Sequence, residues 1–150
     1  MRAIVPSLWF DDDLEEAIAF YSSVFPDAKT GDVLRQPDGS VLSAEFTLAG
    51  QRFVGINGGP QFSFTEAVSF VIECESQEEV DEYWAALTDG GEESQCGWLK
   101  DRFGLSWQVV PVEFLDMLQD SDQAKVQRVV DVMMTQSKLD LGALRAAYDG

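Results

Sequence analysis

A shift of about 63 residues lays one part of this chain over another. Glu15-Glu16 falls on Glu78-Glu79, Phe20-Tyr21 on Tyr83-Trp84, and Pro6 on Ser69. Each copy reads as a strand, a helix and then further strands. In the first, the apolar run "IVPSLWF" precedes Asp13, which with Glu16 three residues on makes a capping-box start for "DLEEAIAFYSSVF". Leu14, Ala17, Ile18 and Tyr21 recur at helical spacing, and Pro26 ends the helix. "GDVLRQ" and "SVLSAEFTL" flank the turn "PDG", and "AG" joins the latter to "QRFVGIN", which predicts a strand meander. The second copy runs through "AVSFVIEC", a capping box from Ser76 to Glu79, the helix "QEEVDEYWAAL", and the strands "CGWLKD" and "LSWQVVP". A module of about 60 residues buries too little of its own sheet, so the two are expected to pair side by side in one domain. Module one spans about 1–60, module two about 64–112. Helices are predicted over 113–150, where Val126, Val129, Val130 and Met133 share one face.

Composition removes several functions. The chain has 150 residues, 45% of them hydrophobic, but no run approaching the ~20 apolar residues of a bilayer span. The N-terminus lacks an A-x-A cleavage pattern, so the expectation is a soluble cytoplasmic protein. Twenty-seven Asp and Glu against ten Lys and Arg leave a net charge of −17, which repels phosphate backbones and anionic headgroups. Neither nucleic acid nor membrane is an expected partner. The chain has no histidine, which excludes Ser-His-Asp and Cys-His catalysis and every zinc or iron site built on imidazole. Cys74 and Cys96 stand far apart and read as small buried hydrophobes, with Cys74 inert.

The stretches "LWFDDDLEEAIAFYSSVFPDA", "INGGPQFSFTEAVSFVIEC" and "CGWLKDRFGLSWQVVP" resemble the PhnB-like family of the vicinal oxygen chelate superfamily. "DQAKVQRVV" and "LDLGALRAAYDG" extend the resemblance over nearly the whole chain. The family carries the label 3-demethylubiquinone-9 3-methyltransferase, and the superfamily includes glyoxalase I, extradiol dioxygenases and bleomycin resistance proteins. The resemblance implies an α+β fold: two paired βαβββ modules forming cup-shaped mixed sheets around a central cavity, with extra C-terminal helices, in a homodimer. In metal-dependent relatives, side chains from four strands hold a divalent cation in that cavity. Their positions correspond here to Pro6, Ser69, Gln108 and a residue near Gly55 or Asn57.

Strand parity then proposes a lining. With "AG" as a two-residue hairpin, Phe46 pairs with Phe53 and Ala44 with Gly55. Module one is expected to contribute Leu8, Phe10, Leu42, Phe46, Phe53 and Asn57. Module two adds Ser69, Val71, Ser106 and Gln108. Glu45 and Arg52 fall on the opposite face as a diagonal ion pair. Trp98 and Trp107 are expected to pair across their hairpin, Asp101 and Gly104 to shape its turn, and Lys100 to be solvated. "NGGP" (57–60) lacks phosphate-loop spacing and reads as a flexible link.

Proline cannot ligate through its side chain, and serine and neutral amides are weak ligands, so no metal site and no cofactor are expected. Two functions stay open. One is a protein that binds a small organic molecule in an apolar cavity without turnover. The other is a metal-dependent glyoxalase- or dioxygenase-type enzyme acting on a small oxygenated substrate. Methyl transfer is not expected, because no βαβ alternation or Gly-rich first loop is present for S-adenosylmethionine.

Overall fold

A computed structural model describes residues 1–150, which divide into two compact units, Met1–Phe64 and Thr65–Gly150. The first holds β1 (Ser7–Phe10), α1 (Leu14–Val24), β2 (Lys29–Arg35), β3 (Val41–Leu48) and β4 (Gln51–Asn57). Its sheet runs β1-β4-β3-β2, with β1 parallel to β4 and the other pairs antiparallel. The second holds β5 (Ser69–Cys74), α2 (Gln77–Thr88), β6 (Glu92–Glu93), β7 (Trp98–Lys100) and β8 (Ser106–Pro111). Its order, β5-β8-β7-β6, repeats the first with β5 parallel to β8. Both units are therefore βαβββ, the α+β class that the repeat implies. Three helices follow: α3 (Val112–Met117), α4 (Gln123–Met133) and α5 (Leu141–Asp149). No helix is long and apolar enough to cross a membrane.

In unit one, α1 turns Leu14, Ala17, Ile18 and Tyr21 inward, as their spacing predicts. Ala44, Phe46, Phe53 and Gly55 face it from the sheet. Phe46 pairs with Phe53 and Ala44 with Gly55, and the two phenyl rings stack with centroids 5.3 Å apart. Each such fully buried leucine or phenylalanine contributes about 1.5–3 kcal/mol of transfer free energy. Ala49 and Gly50 both have positive φ, 48° and 83°, so the hairpin between β3 and β4 is the two-residue turn whose twist matches its strands. Asp13 makes no side-chain cap for α1. Asn57 reaches across instead: its Oδ1 accepts from the Leu14 N–H at 3.0 Å, and its Nδ2 donates to the Val41 carbonyl. The capping box expected at Asp13 is thus replaced by an amide from β4.

In unit two, Ser76 does cap: its Oγ accepts from the Glu79 N–H at 3.2 Å, and the Glu79 carboxylate accepts from the Glu75 N–H. Val80, Trp84 and Leu87 of α2 cover Cys74, Leu99, Trp107 and Val109. Trp107 pairs with Leu99, whereas Trp98 pairs with Gln108, so the two tryptophans lie on opposite faces rather than side by side. The C-terminal helices enclose a second cluster of Val110, Phe114, Met117, Val129, Leu139, Leu141 and Leu144. Gln77 ties it to α2, since its side chain donates to the Leu139 carbonyl and accepts from the Leu141 N–H.

Gly55 marks the tightest approach of α1 to its sheet: a Cβ there would lie 2.2 Å from Cδ1 of Leu14, a fully buried side chain. Gly55→Ala is expected to cost about 1–3 kcal/mol in urea unfolding. In the Leu14→Ala background the same change is expected to cost much less, giving a coupling term in a double-mutant cycle.

Candidate ligand site

Asp101 organises the hairpin of β7 and β8. It is 3% exposed, and its Oδ1 accepts from the Phe103 N–H at 2.8 Å and the Leu105 N–H at 3.1 Å. Its Oδ2 accepts from the Trp107 indole N–H at 2.8 Å. A buried carboxylate is tolerated only with such a set of donors, and here they close the D-x-F-G turn, with Gly104 at φ 84°. The turn in turn sets the β7–β8 register, which places Lys100 opposite Ser106 and Trp98 opposite Gln108.

That register builds a polar row on the face turned away from α2. Ser69 of β5 pairs with Ser106 of β8, Ser106 with Lys100 of β7, and Lys100 with Glu92 of β6. Val71, Gln108 and Trp98 form the next row. Gln108 Nε2 donates to Ser69 Oγ at 2.9 Å. Lys100 forms an ion pair with Glu66, whose carboxyl is held below the ordinary range by the hydrogen bond from Lys100. Glu66, Glu92, Ser94, Trp98, Lys100 and Ser106 line a cavity of about 160 Å³. Ser106 is 1% exposed, and its Oγ finds no hydrogen-bond partner in the protein. An unsatisfied buried hydroxyl costs about 1–3 kcal/mol, so this one calls for a reason beyond folding.

The expected lining divides sharply between the units. Ser69, Ser106 and Gln108 do come together on one face, with Val71 half exposed beside them. Leu8, Phe10, Phe46 and Phe53 instead lie on the α1-facing side of their sheet, where they are core. Asn57 is the cap of α1. Leu42 is 39% exposed at a register shift between β2 and β3. The physical reason is one residue of connection. The helices repeat at a shift of about 63, with Ala17 on Val80 and Tyr21 on Trp84, all buried. The strands do not, because Leu8 and Phe10 are inward in β1 while Phe70, Ile72 and Cys74 hold that parity in β5. Equating Pro6 with Ser69 therefore swaps the faces of module one. Glu45 consequently lies on the side away from α1, with Ser43 and Val54, and pairs with Arg52 at 3.8 Å. This is the face opposite Phe46 and Phe53 on which strand parity places it.

Two smaller expectations change as well. Lys100 is not a freely solvated turn residue but an ion-paired member of the polar row. The segment "NGGP" is tied down: Gly58 and Gly59 N–H groups donate to the carbonyls of Phe10 and Asp11, and the Trp9 indole donates to the Gly59 carbonyl. Sequence reasoning missed Lys100, Glu66 and Glu92 as site residues. The available signal was the pairing of "WLKD" with "LSWQ" across a fixed turn, which puts Lys100 opposite Ser106.

Burial pushes the Cys74 thiol up to about 12, with the Glu79 charge adding to the shift. Cys74 therefore stays protonated in the fold at mildly alkaline pH, where its thiolate would be the reactive form. At pH 8 a thiol reagent is expected to modify Cys96 while Cys74 reacts only upon unfolding, read by peptide mass spectrometry. Asn57→Ala is expected to cost about 1–2 kcal/mol in thermal or urea unfolding through loss of the helix cap.

The family described as 3-demethylubiquinone-9 3-methyltransferase matches residues 2–110. The match takes in both βαβββ units up to β8 and leaves out the three C-terminal helices, so the family likeness is narrower than the sequence motifs imply. A PhnB protein of Bacillus cereus is 32% identical, covering 73% of this chain and 99% of its own, with a TM-score of 0.68. A Pseudomonas aeruginosa protein is 19% identical over 74% of this chain and 98% of its own, TM-score 0.63, and shares the fold. The fosfomycin resistance protein FosX of Listeria monocytogenes, solved with Mn(II) and sulfate, is 22% identical over 73% of this chain and 91% of its own, TM-score 0.54. No curated protein matches. The repeated βαβββ units and the match over most of the chain show that it belongs to the PhnB-like family of the vicinal oxygen chelate superfamily, the family described as 3-demethylubiquinone-9 3-methyltransferase.

Proposed function

We propose that this protein binds a small organic molecule on the face of the second sheet turned away from α2, without a metal ion and as a homodimer. The observation that carries this reading is Ser106 Oγ, buried and unpartnered at a small cavity. A hydroxyl there stabilises nothing in the fold, so its use is to meet a ligand's donor or acceptor. Gln108 and Ser69, bonded to each other, extend the polar surface beside it. The lining is more polar than an apolar cup, because the strand row places serine, lysine and glutamate in register.

FosX of Listeria monocytogenes was solved with Mn(II), which raises the metal-dependent reading. The donors here do not fit a divalent cation. Ser69 and Gln108 are neutral and bonded to each other, Glu66 is paired with Lys100, and no group of three or more His, Cys, Asp or Glu is placed to hold a metal. No Lewis-acid step follows from these residues.

Ser106→Ala separates a site from a packing residue by the sign of its effect. Removing an unpartnered buried hydroxyl should leave the free protein as stable or up to about 1 kcal/mol more stable. Any compound that raises the melting temperature of the native chain in a small-molecule screen should lose that shift in the variant. Metal analysis after dialysis against Mn²⁺, Zn²⁺, Ni²⁺ and Mg²⁺ in turn is expected to show no near-stoichiometric retention. Retention abolished by Gln108→Ala would overturn the metal-free reading.

A further inference from the structure

The chain has one asparagine, Asn57, and a glycine follows it. Asparagine before glycine is the pair in which a backbone nitrogen most readily attacks the neighbouring side-chain amide, because glycine leaves the main chain free to turn. The fold constrains both residues. Oδ1 of Asn57 accepts from the Leu14 N–H at 3.0 Å, and Nδ2 donates to the Val41 carbonyl at 3.0 Å. The side chain must therefore present an acceptor and a donor at once, and an ionised aspartate has only acceptors. At position 58 a Cβ would collide with the indole of Trp9. That ring is itself held by its N–H bond to the Gly59 carbonyl at 2.9 Å. Capping fixes the asparagine and packing fixes the glycine, so a reactive pair is built into the joint between β4 and α1.

The same bonds block the reaction. Ring closure requires the Gly58 nitrogen to lose its proton and approach Cγ of Asn57. That N–H donates instead to the Phe10 carbonyl at 2.9 Å, and both ends of the Asn57 amide are held on Leu14 and Val41. The next N–H, of Gly59, donates to the Asp11 carbonyl at 2.9 Å. Leu14 and Val41 lie 43 and 16 positions away along the chain, so nothing local preserves this geometry once the joint opens.

We propose that Asn57–Gly58 is a deamidation site gated by opening of the β4–α1 joint, and that the reaction bars the opened chain from full return to its native stability. The Gly58 nitrogen bonds to Asn57 Cγ, the Cγ–Nδ2 bond breaks, and Nδ2 leaves as ammonia. Water then opens the cyclic imide at either carbonyl. One product is aspartate, which still accepts from the Leu14 N–H, where the helix dipole favours negative charge. It sets a carboxylate oxygen against the Val41 carbonyl where a donor stood, and leaves that carbonyl unpaired. The other product, isoaspartate, adds a methylene to the main chain beside Phe10 and displaces both contacts.

Peptide mass spectrometry of the full chain tests both parts, with the protein held at pH 8 either in buffer or in guanidinium chloride above its unfolding midpoint. In buffer the peptide carrying Asn57 is expected to deamidate at least about tenfold more slowly, as for a reaction that passes through a rare local opening. Gly55→Ala, which crowds Leu14 across the same joint, should deamidate faster in buffer and at an unchanged rate in denaturant. Chains aged in denaturant and then refolded should contain a deamidated fraction that unfolds at lower denaturant than the starting protein. Asn57→Asp should likewise unfold at lower denaturant. Equal rates in buffer and denaturant for the unaltered chain overturn the gating, as does a less stable Gly55→Ala that reacts no faster in buffer. Aged chains and Asn57→Asp that both unfold at the original midpoint overturn the loss of native stability.

Discussion

Everything in this protein follows from the sealing of one sheet face by one helix in each unit. A four-stranded sheet of short strands cannot bury both faces with a single α-helix. In each unit the side facing that helix is core and much of the other side is released from packing, although in unit two the C-terminal helices bury Val110 on that other side. Leu14 against Gly55 in the first unit shows how close the sealed side is: helix and strand approach so nearly that no side chain fits at position 55. On the released sides, polar and charged residues alternate with the core positions. In unit two those released positions align into the row Ser69, Ser106, Lys100 and Glu92.

The row depends on a single buried carboxylate. Asp101 gathers two backbone N–H groups of its own turn and the indole of Trp107, and so locks both the turn and the strand that follows. A shift of one residue in β8 would expose Trp107 and Val109 and bury Gln108, which hydrophobic burial strongly opposes. The stability of the core and the placement of the site are thus one constraint. Ser106 is the exception within the row, a hydroxyl that the fold buries without satisfying. Proteins tolerate such a local cost where the group serves something other than folding.

Much of this architecture could be read along the chain. The spacing of Leu14, Ala17, Ile18 and Tyr21 announced a helix, and Ser76 with Glu79 announced the start of another. "AG" between apolar alternations predicted a two-residue hairpin, and the pairing of Phe46 with Phe53 follows from it. The candidate site was legible only in its second half. Ser69, Ser106 and Gln108 lie together because β5 and β8 pair in register and the D-x-F-G turn constrains where β8 begins. In module one, Asp11, Asp12 and Asp13 put one more residue between strand and helix than Glu75 and Ser76 do in module two, which inverts the faces. Leu8 and Phe10 are core for that reason, and the pairing of β1 with β4 puts Phe46 and Phe53 on the same buried side. Asn57 gave no sign of its capping role, since the Leu14 N–H it bonds is 43 positions away along the chain.

By itself, then, the sequence determined the duplicated βαβββ plan, the element types and the absence of imidazole chemistry, because periodicity, capping and composition are local or global properties of the string. Only the tertiary structure decided which face of each sheet is sealed, that Glu66 reaches Lys100, and that Ser106 is buried without a partner. These outcomes depend on how many residues join a strand to its helix and on contacts between segments distant in the chain. An alternating pattern has the same period whichever of its two faces a helix covers.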